Sequence, residues 1–402
     1  MKVLVIGGGA SGMAAALFAS ENPGVQVVLM ERQARLGRKL AATGNGRCNL
    51  SNLSMKPENF HGEEPDFVSA ALGEFSVEQT LGWFHNMGLF TMADGTRVYP
   101  FSEQASSVVD ILRFALDKPN ITLKLGFEAE KIKKTEAGFL VQSKEETLVF
   151  DRLIIACGGL AGTKLGGSMS GYKFLRTFGH KCTKLRPSLV QLKSGWKGIS
   201  ALKGVRAVCR AAIYRDGMLH GQSEGEIQFT EYGLSGPVMF EISRDACQGG
   251  GEWSCRLDLL PHDSAEVLRE ALCRRRATCL PVSELLTGIV HNRIGRVITQ
   301  TVGIPSQRLV SELTDREIEA VCTLVKDFEI TLTEPMGMDS AQVTAGGILT
   351  REFYMESMES RLIPGLYACG EVLDIDGDCG GYNLQWAWSS GRLAGIHAGG
   401  IV

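Results

Sequence analysis

No CxxC pair occurs among the eleven cysteines, and no HxH or HExxH spacing occurs among the seven histidines. The first absence excludes zinc ribbons and paired-thiol redox centres. The second leaves no ligand set for a metal, so none is expected. An odd, unpatterned set of thiols also argues against a disulfide-built secreted domain and for a reducing, cytoplasmic setting. No stretch of 18 apolar residues appears, so no membrane-spanning helix is expected. Met1-Lys2 and the apolar run after it have the outline of a signal peptide, but Gly7-Gly8-Gly9 would break the helix such a signal needs. Internal repeats and low-complexity tracts are missing too.

What is abundant is glycine, 48 of 402 residues, gathered in short groups at Gly7–Gly9, Gly158-Gly159, Gly346-Gly347 and Gly380-Gly381. With 44% apolar residues the chain can build two or three cores. Lys2–Ile6 is an apolar run typical of a strand buried on both faces. Ala10–Ser20 reads as a helix, and Val25–Met30 as a second buried strand ending at Glu31. This order is the first half of a doubly wound α/β sheet. Further strands are expected at Ile121–Phe127, Phe139–Gln142 and Arg152–Ala156. From about Ser188 short alternating runs (Ala207–Tyr214, Glu226–Phe229, Trp253–Leu257) predict an antiparallel insert. Helices are expected over Ser264–Arg276, Val282–Val290 and Asp315–Phe328, with Asp263 and Thr314 as N-caps. Strand character resumes at Ile330–Leu332 and Gln342–Thr344 before a glycine-rich tail from Gly365.

Gly7-x-Gly9-x-x-Gly12 follows the first strand and opens the first helix. Gly7 permits the tight turn, Gly9 lets backbone approach a pyrophosphate beside Ala10 and Ser11, and Gly12 brings helix against strand. Glu31, 19 residues after Gly12, is placed to accept hydrogen bonds from ribose hydroxyls. Three further features favour FAD over NAD. Thr43-Gly44-Asn45-Gly46-Arg47-Cys48-Asn49 is a second polar glycine loop, as a long cofactor requires. Arg152–Gly159 ends in a glycine turn at Cys157-Gly158-Gly159. Leu366–Glu371 ends in Gly370-Glu371, and Gly380-Gly381-Tyr382-Asn383-Leu384-Gln385 then enters a helix from Trp386 towards His397. A helix dipole there would stabilise a reduced anionic flavin. No second strand–GxGxxG–helix unit exists, so NADH or NADPH is expected as a transient reductant.

At these residues the sequence resembles the bacterial FAD-dependent oxidoreductases labelled aminoacetone oxidase or bile-acid reductase-like (BaiN-like). The resemblance rests on Glu31-Arg32 through Gly37-Arg38-Lys39, on Thr43–Asn49, and on Phe229-Thr230 with Gly233–Pro237. It continues through Val343-Thr344 with Gly346-Gly347, Gly370-Glu371 with Asp374, and Gly380–Gln385 with Ala387 and Gly391. It implies an FAD-binding Rossmann-like, glutathione-reductase-type domain over residues 1–187 and 336–402. A β-barrel insert would span 188–260 and 328–335, and a helical insert 261–327. It implies cofactor contacts at Arg32, Lys39, Ala129, Asp374 and the residues of the motifs above. Cys157 stands where the family leads one to expect Thr. Activities tied to such proteins are bile-acid enone reduction, aminoacetone oxidation and reduction of a 23S ribosomal RNA uridine to dihydrouridine. The substrate is therefore expected to be a small molecule or ribosomal RNA.

Residues 161–220 carry twelve Lys or Arg and one acid, Asp216, so the segment is +11 in a chain of −3. Arg274-Arg275-Arg276 adds a second basic knot. Such a segregated field is the footprint of a phosphate backbone, and it points to RNA; the alternative is a solvated basic face. For proton donation or carbonyl polarisation the candidates are Cys48, Arg47 and Tyr382, with inert thiol, cofactor contact and turn residue as their respective alternatives. A flavin-binding module without catalysis is the remaining class.

Overall fold

The computed structural model describes residues 1–401 and divides into two units, Met1–Arg186 with Gln342–Val402, and Pro187–Ala341. In the first unit five parallel strands form one sheet: β1 (Lys2–Ile6), β2 (Gln26–Glu31), β3 (Ile121–Leu125), β4 (Arg152–Ile155) and β5 (Leu366–Ala368), in the order β5-β4-β1-β2-β3. The apolar run of β1 is buried from Val3 to Ile6 because neighbours flank it on both sides, β2 from Lys2↔Gln26 and β4 from Val3↔Arg152.

Helix α1 (Ala10–Ala19) lies against α2 (Tyr382–Ala398), and small residues set their approach. A Cβ on Gly391 would meet the Ser11 carbonyl oxygen at 2.6 Å, one on Gly395 that of Ala15 at 2.5 Å, and one on Gly399 that of Ala19 at 2.9 Å. Matching steps of four on each helix make the pair parallel. With Ser11 level with Gly391, the start of α2 at Tyr382 reaches about 12 Å beyond the start of α1, at 1.5 Å per residue.

His180 is buried in this unit. Its Nδ1 lies 2.9 Å from Glu352 Oε2 and its Nε2 2.9 Å from Ser360 Oγ, with the ring stacked on Phe353 at 4.6 Å. Ser360 Oγ already accepts the Leu362 and Ile363 amides, so its proton goes to Nε2, and Nδ1–H donates to Glu352. Burial lowers the His180 pKa below 6.5 more than Glu352 raises it. As pH falls through about 6.5 the unfolded chain therefore takes up the proton first, and stability drops. Thermal unfolding midpoints measured from pH 7.5 to 5.5 should fall less steeply in His180→Gln than in the parent; parallel curves would refute this.

The second unit closes six antiparallel strands into a barrel in the order Leu192–Ser194, Gly233–Ser235, Met218–Phe229, Arg206–Arg215, Trp253–Asp258, Phe328–Pro335. Inward residues such as Cys209, Ala211, Ile213, Cys255 and Leu257 alternate with outward ones. Helices Ala265–Arg275, Asn292–Thr301 and Asp315–Lys326 share the barrel's apolar core.

Two expectations are corrected here, and one helix is added. Ser264, not Asp263, caps the first of these helices, its side chain accepting from the Val267 amide at 3.3 Å. Val282–Val290 is no helix: only Val282–Glu284 forms a short 3-10 turn, while Pro281 and Leu309 form a strand-like bridge. The helix Asn292–Thr301 was not anticipated. Gly295 and its β-branched residues lower propensity, and the burial of Ile294, Val297 and Ile298 decides. Among the described residues no helix is long and apolar enough to cross a membrane.

Candidate active site

The turn from β1 to α1 shows what each glycine does. Gly7, at φ +114°, would drive a Cβ to 2.3 Å from the Ala156 carbonyl oxygen, and Gly12 one to 1.8 Å from that of Gly7. Both are sterically obligatory. At Gly9 a Cβ would meet nothing within 4 Å. The backbone there faces open space at the N-terminus of α1, where amides and helix dipole favour an anion. Ala10 sits half-buried and Ser11 buried on the same turn. Glu31 ends β2, and its carboxylate is held by two amides, Gly8 N–H at 2.7 Å and Gln33 N–H at 2.8 Å. Each oxygen keeps acceptor capacity for a hydroxyl.

Several predicted cofactor residues surround this turn. Arg32 donates to the Gly166 carbonyl at 2.7 Å. Gly158, at φ +67°, again faces open space, whereas a Cβ on Gly159 would collide with Glu371 Oε1 at 2.3 Å. Burial pushes the Cys157 thiol up to about 12, so it stays neutral. Glu371 accepts from the Thr344 amide at 2.8 Å and pairs with Lys39 at 2.7 Å. Lys39 is thus already matched by a carboxylate rather than free for a phosphate. Gly370 packs on Ser11 and donates to Ser390 Oγ at 3.0 Å. Asp374 is buried, accepts from the Glu63 amide at 3.2 Å, and is raised in pKa mainly by burial. It braces the Gly62-Glu63 turn. Ala129 is half-buried in the segment after β3.

The loop Thr43–Asn49 adopts left-handed backbone at Gly44 (φ 57°), Asn45 (φ 55°), Gly46 (φ 86°) and Cys48 (φ 61°). Thr43 Oγ1 donates to the Leu40 carbonyl at 2.7 Å, while Gly44, Asn45 and Gly46 stay exposed. Arg47 projects from the loop with its guanidinium 4.3 Å above the Tyr99 ring and paired with Glu103. Its side chain is 39% exposed. Two buried polar atoms here have no partner, Arg47 Nε and Asn49 Oδ1. Asn49 Oδ1 lies 2.9 Å from the point where a Cβ on Gly381 would stand, next to the start of α2. An orphaned acceptor, Asn49 Oδ1, and an orphaned donor, Arg47 Nε, beside a helix N-terminus fit a polar cofactor ring that carries both donors and acceptors.

Cys48 is corrected as a proton donor. It is 0% exposed, and burial pushes its thiol up to about 12. Cys48→Ala should keep flavin content and turnover within about twofold, with a stability cost of order 1 kcal/mol for the lost buried sulfur. A thousandfold loss of turnover with flavin retained would restore the thiol to the mechanism.

Gln385 is corrected as a cofactor contact. It is fully buried, accepts from Ser51 Oγ at 2.7 Å, and donates towards Thr80 Oγ1 at 2.7 Å, Ser389 Oγ at 2.9 Å and the Phe75 carbonyl at 3.2 Å. It is the polar hub beneath α2. The Asn383 side chain is engaged as well, bonded both ways to the Gly377 backbone at 2.7 and 2.8 Å. Tyr382, 8% exposed, and half-buried Leu384 stand in the first turn of α2, which starts at Tyr382 rather than at Trp386.

The basic segment is also corrected. Six of its cations (Lys164, Lys173, Arg176, Lys181, Lys184, Arg186) fall in the first unit and six (Lys193, Lys197, Lys203, Arg206, Arg210, Arg215) in the second. In the second unit Lys193 pairs with Glu334, Lys203 with Glu231, Arg206 with Glu226, Arg210 with Glu224 and Arg215 with Asp216. Strand pairing places Arg210 opposite Glu224, so the hairpin is cross-neutralised by acids just beyond the segment. Arg274 pairs with Glu270 and Arg276 with Asp315, while Arg275 donates to backbone carbonyls. In the second unit five of the segment's six cations are therefore paired.

Sequence reasoning missed Tyr99 and Glu103, which hold Arg47; nothing local marks them. It named Thr344 within a family motif but not its amide bond to Glu371. It also missed the spacing Gly391, Gly395, Gly399, which was readable as a close-packed helix face.

A parallel sheet with an anion-ready glycine turn, a ribose-ready carboxylate and two staggered parallel helix N-termini defines a Rossmann-type flavoprotein oxidoreductase fold. The chain belongs to the HI0933-like family: the model for the HI0933-like protein Rossmann domain matches residues 1–397. It is 38% identical to the 3-dehydro-bile acid delta(4,6)-reductase of Clostridium scindens, over 98% of both chains. It is 32% identical to the ribosomal RNA dihydrouridine synthase of Escherichia coli, over 96% of this chain and 95% of that one. In fold it resembles the 3-ketosteroid delta1-dehydrogenase of Sterolibacterium denitrificans, with a TM-score of 0.51 at 13% identity, covering 100% of this chain and 99% of that one.

Proposed function

We propose that this protein binds FAD, draws electrons from NADH or NADPH, and reduces a C=C bond conjugated to a carbonyl, with a uridine of 23S ribosomal RNA as the leading substrate. The observation that carries the cofactor reading is the stagger of α1 and α2 by about 12 Å, set by 1.5 Å per residue. It offers one helix N-terminus to a pyrophosphate at Gly9 and another to a ring system beyond it. The orphaned Asn49 Oδ1 beside the second terminus supports the same placement. Gly9, Ala10, Ser11, Glu31 and Gly158 would hold the adenosine and phosphates. Thr43–Asn49, Gly381 and the first turn of α2 would hold the ring.

The reaction type is supported by two relatives, a 3-dehydro-bile acid delta(4,6)-reductase and a ribosomal RNA dihydrouridine synthase, whose names each imply saturation of a C=C bond. FAD, when bound and reduced, supplies the hydride for the carbon β to the carbonyl. The chain supplies the remainder. Arg47, oriented by Tyr99 and Glu103, would polarise the carbonyl oxygen. The Tyr382 phenol would deliver the proton to the α carbon. The small-molecule reading, a bile-acid-like enone, is favoured by the 38% identity to the bile-acid enzyme.

Anaerobic mixing with NADH or NADPH should bleach the flavin. Bleached enzyme should reoxidise on 23S ribosomal RNA from a deletion strain, leaving dihydrouridine. Reoxidation on an enone alone would move the substrate to the small-molecule class. Peroxide released on adding aminoacetone without nicotinamide would identify an amine oxidase. A spectrum that nothing changes would leave a flavin-binding module.

A further inference from the structure

The charge that the sequence placed in one segment reappears elsewhere in the first unit. A cavity of about 1000 Å³ is walled by Arg32, Lys131, Lys133, Lys134 and Lys173, against Glu128 and Glu130. Lys173 comes from the helix Ser170–Thr177 and the three other lysines from the strand Lys131–Thr135, 40 residues earlier in the chain. Lys131, Lys133 and Lys173 are exposed, and among the described residues no carboxylate forms an ion pair with them. Lys134 lies 4.1 Å above the Phe139 ring. Lys131 and Lys133 share one face of a strand, so they stand about 7 Å apart. That is a row of cations rather than one anion pocket.

FAD does not account for this row. Its pyrophosphate carries about two charges, and the N-terminus of α1 already serves them. Arg32 and Ala129, both on the cavity wall, tie the cavity to the adenosine end of the proposed cofactor. None of Thr43–Asn49 or Gly380–Gln385 lines it. Uncompensated lysines around a concave surface raise its potential and draw a polyanion in.

We infer that this lysine-walled cavity docks the phosphodiester backbone of a structured RNA, holding the molecule by charge while a base is presented at the Arg47 end. The inference rests on the RNA reading of the substrate. Contacts of this kind position a nucleic acid without reading its sequence, in keeping with a wall of lysines that has no exposed aromatic among them.

The test uses the FAD-loaded protein and the triple variant Lys131→Gln, Lys133→Gln, Lys173→Gln, with 23S ribosomal RNA from a deletion strain as probe. Losing three contacts should make the plot of log affinity against log salt shallower by about 2 to 3 and weaken binding at least tenfold near 150 mM salt. Flavin content and bleaching by NADPH should not change, and the triple Lys→Arg variant should bind like the parent. An unchanged slope and affinity would overturn the inference, as would loss of flavin or of NADPH reduction in the Gln variant, because the lysines would then serve a nucleotide. Scoring dihydrouridine separates the two readings. A parent that makes it, with an equally active Gln variant, sinks the docking site alone. A parent whose RNA binding depends on these lysines but which makes none sinks the substrate reading and keeps the docking site.

Discussion

Gly9→Val is expected to give a folded, colourless protein. A Cβ at Gly9 meets no atom within 4 Å, and its φ of −83° and ψ of −170° suit a β-branched residue. The apoprotein should therefore unfold within about 1 kcal/mol of wild-type apoprotein. The valine methyls would occupy the space at the helix N-terminus where a pyrophosphate must approach, so flavin should be lost on purification and not regained with excess FAD. Gly12→Val has the opposite signature. Its Cβ would lie 1.8 Å from the Gly7 carbonyl oxygen and 3.2 Å from the Ala156 Cβ, in a rigid strand–helix junction. Relief requires α1 to move off the sheet, which should cost more than about 4 kcal/mol, in the range of severe core disruption. Visible absorbance and urea midpoints read both effects. A yellow Gly9→Val protein would place the pyrophosphate elsewhere and sink the cofactor reading at its base.

Gln385→Leu should destabilise the protein by about 2–4 kcal/mol, the range for stranding buried polar partners. Leucine matches the shape but removes both the acceptor for Ser51 and the donors for Thr80 and Ser389, all three buried. The Phe75 carbonyl keeps its bond from Ser389 at 2.8 Å, so the loss falls on three hydroxyls. The urea midpoint should drop while flavin content at low temperature is retained, since the side chain does not face the proposed ring site. Normal stability with lost flavin would return Gln385 to the list of cofactor contacts.

The contrast between these two glutamine and glycine positions shows how far local reading reaches. Gly7, Gly9, Gly12 and Glu31 were legible because their roles depend on neighbours within one β-α-β unit, whose strand and helix the sequence also announces. Lys2–Ile6 was read to the residue, since a strand between two others is apolar throughout. Gln385 sits in a run that resembles a cofactor loop, yet one helical turn carries its side chain beneath α2 towards Thr80, 305 residues away in the chain. Cys48 was adjacent to Arg47 in the motif, but left-handed backbone sends the thiol inward while Arg47 stays outside.

Charge followed the same division. Counting along the chain exposed an excess of cations in 161–220, but pairing is a property of strands and not of windows. The hairpin that places Arg206 and Arg210 beside Glu226 and Glu224 cancels one half of the segment. Lys131 and Lys133 of the strand Lys131–Thr135 and Lys173 of the helix Ser170–Thr177, which the sequence separates, line one cavity in the fold. By itself the sequence determined the Rossmann framework, the nucleotide-type turn and the family, because each depends on hydrophobic period and glycine spacing over tens of residues. Only the tertiary structure decided which polar side chains face open space and which are consumed inside, because burial and partnership are set by contacts between residues hundreds of positions apart.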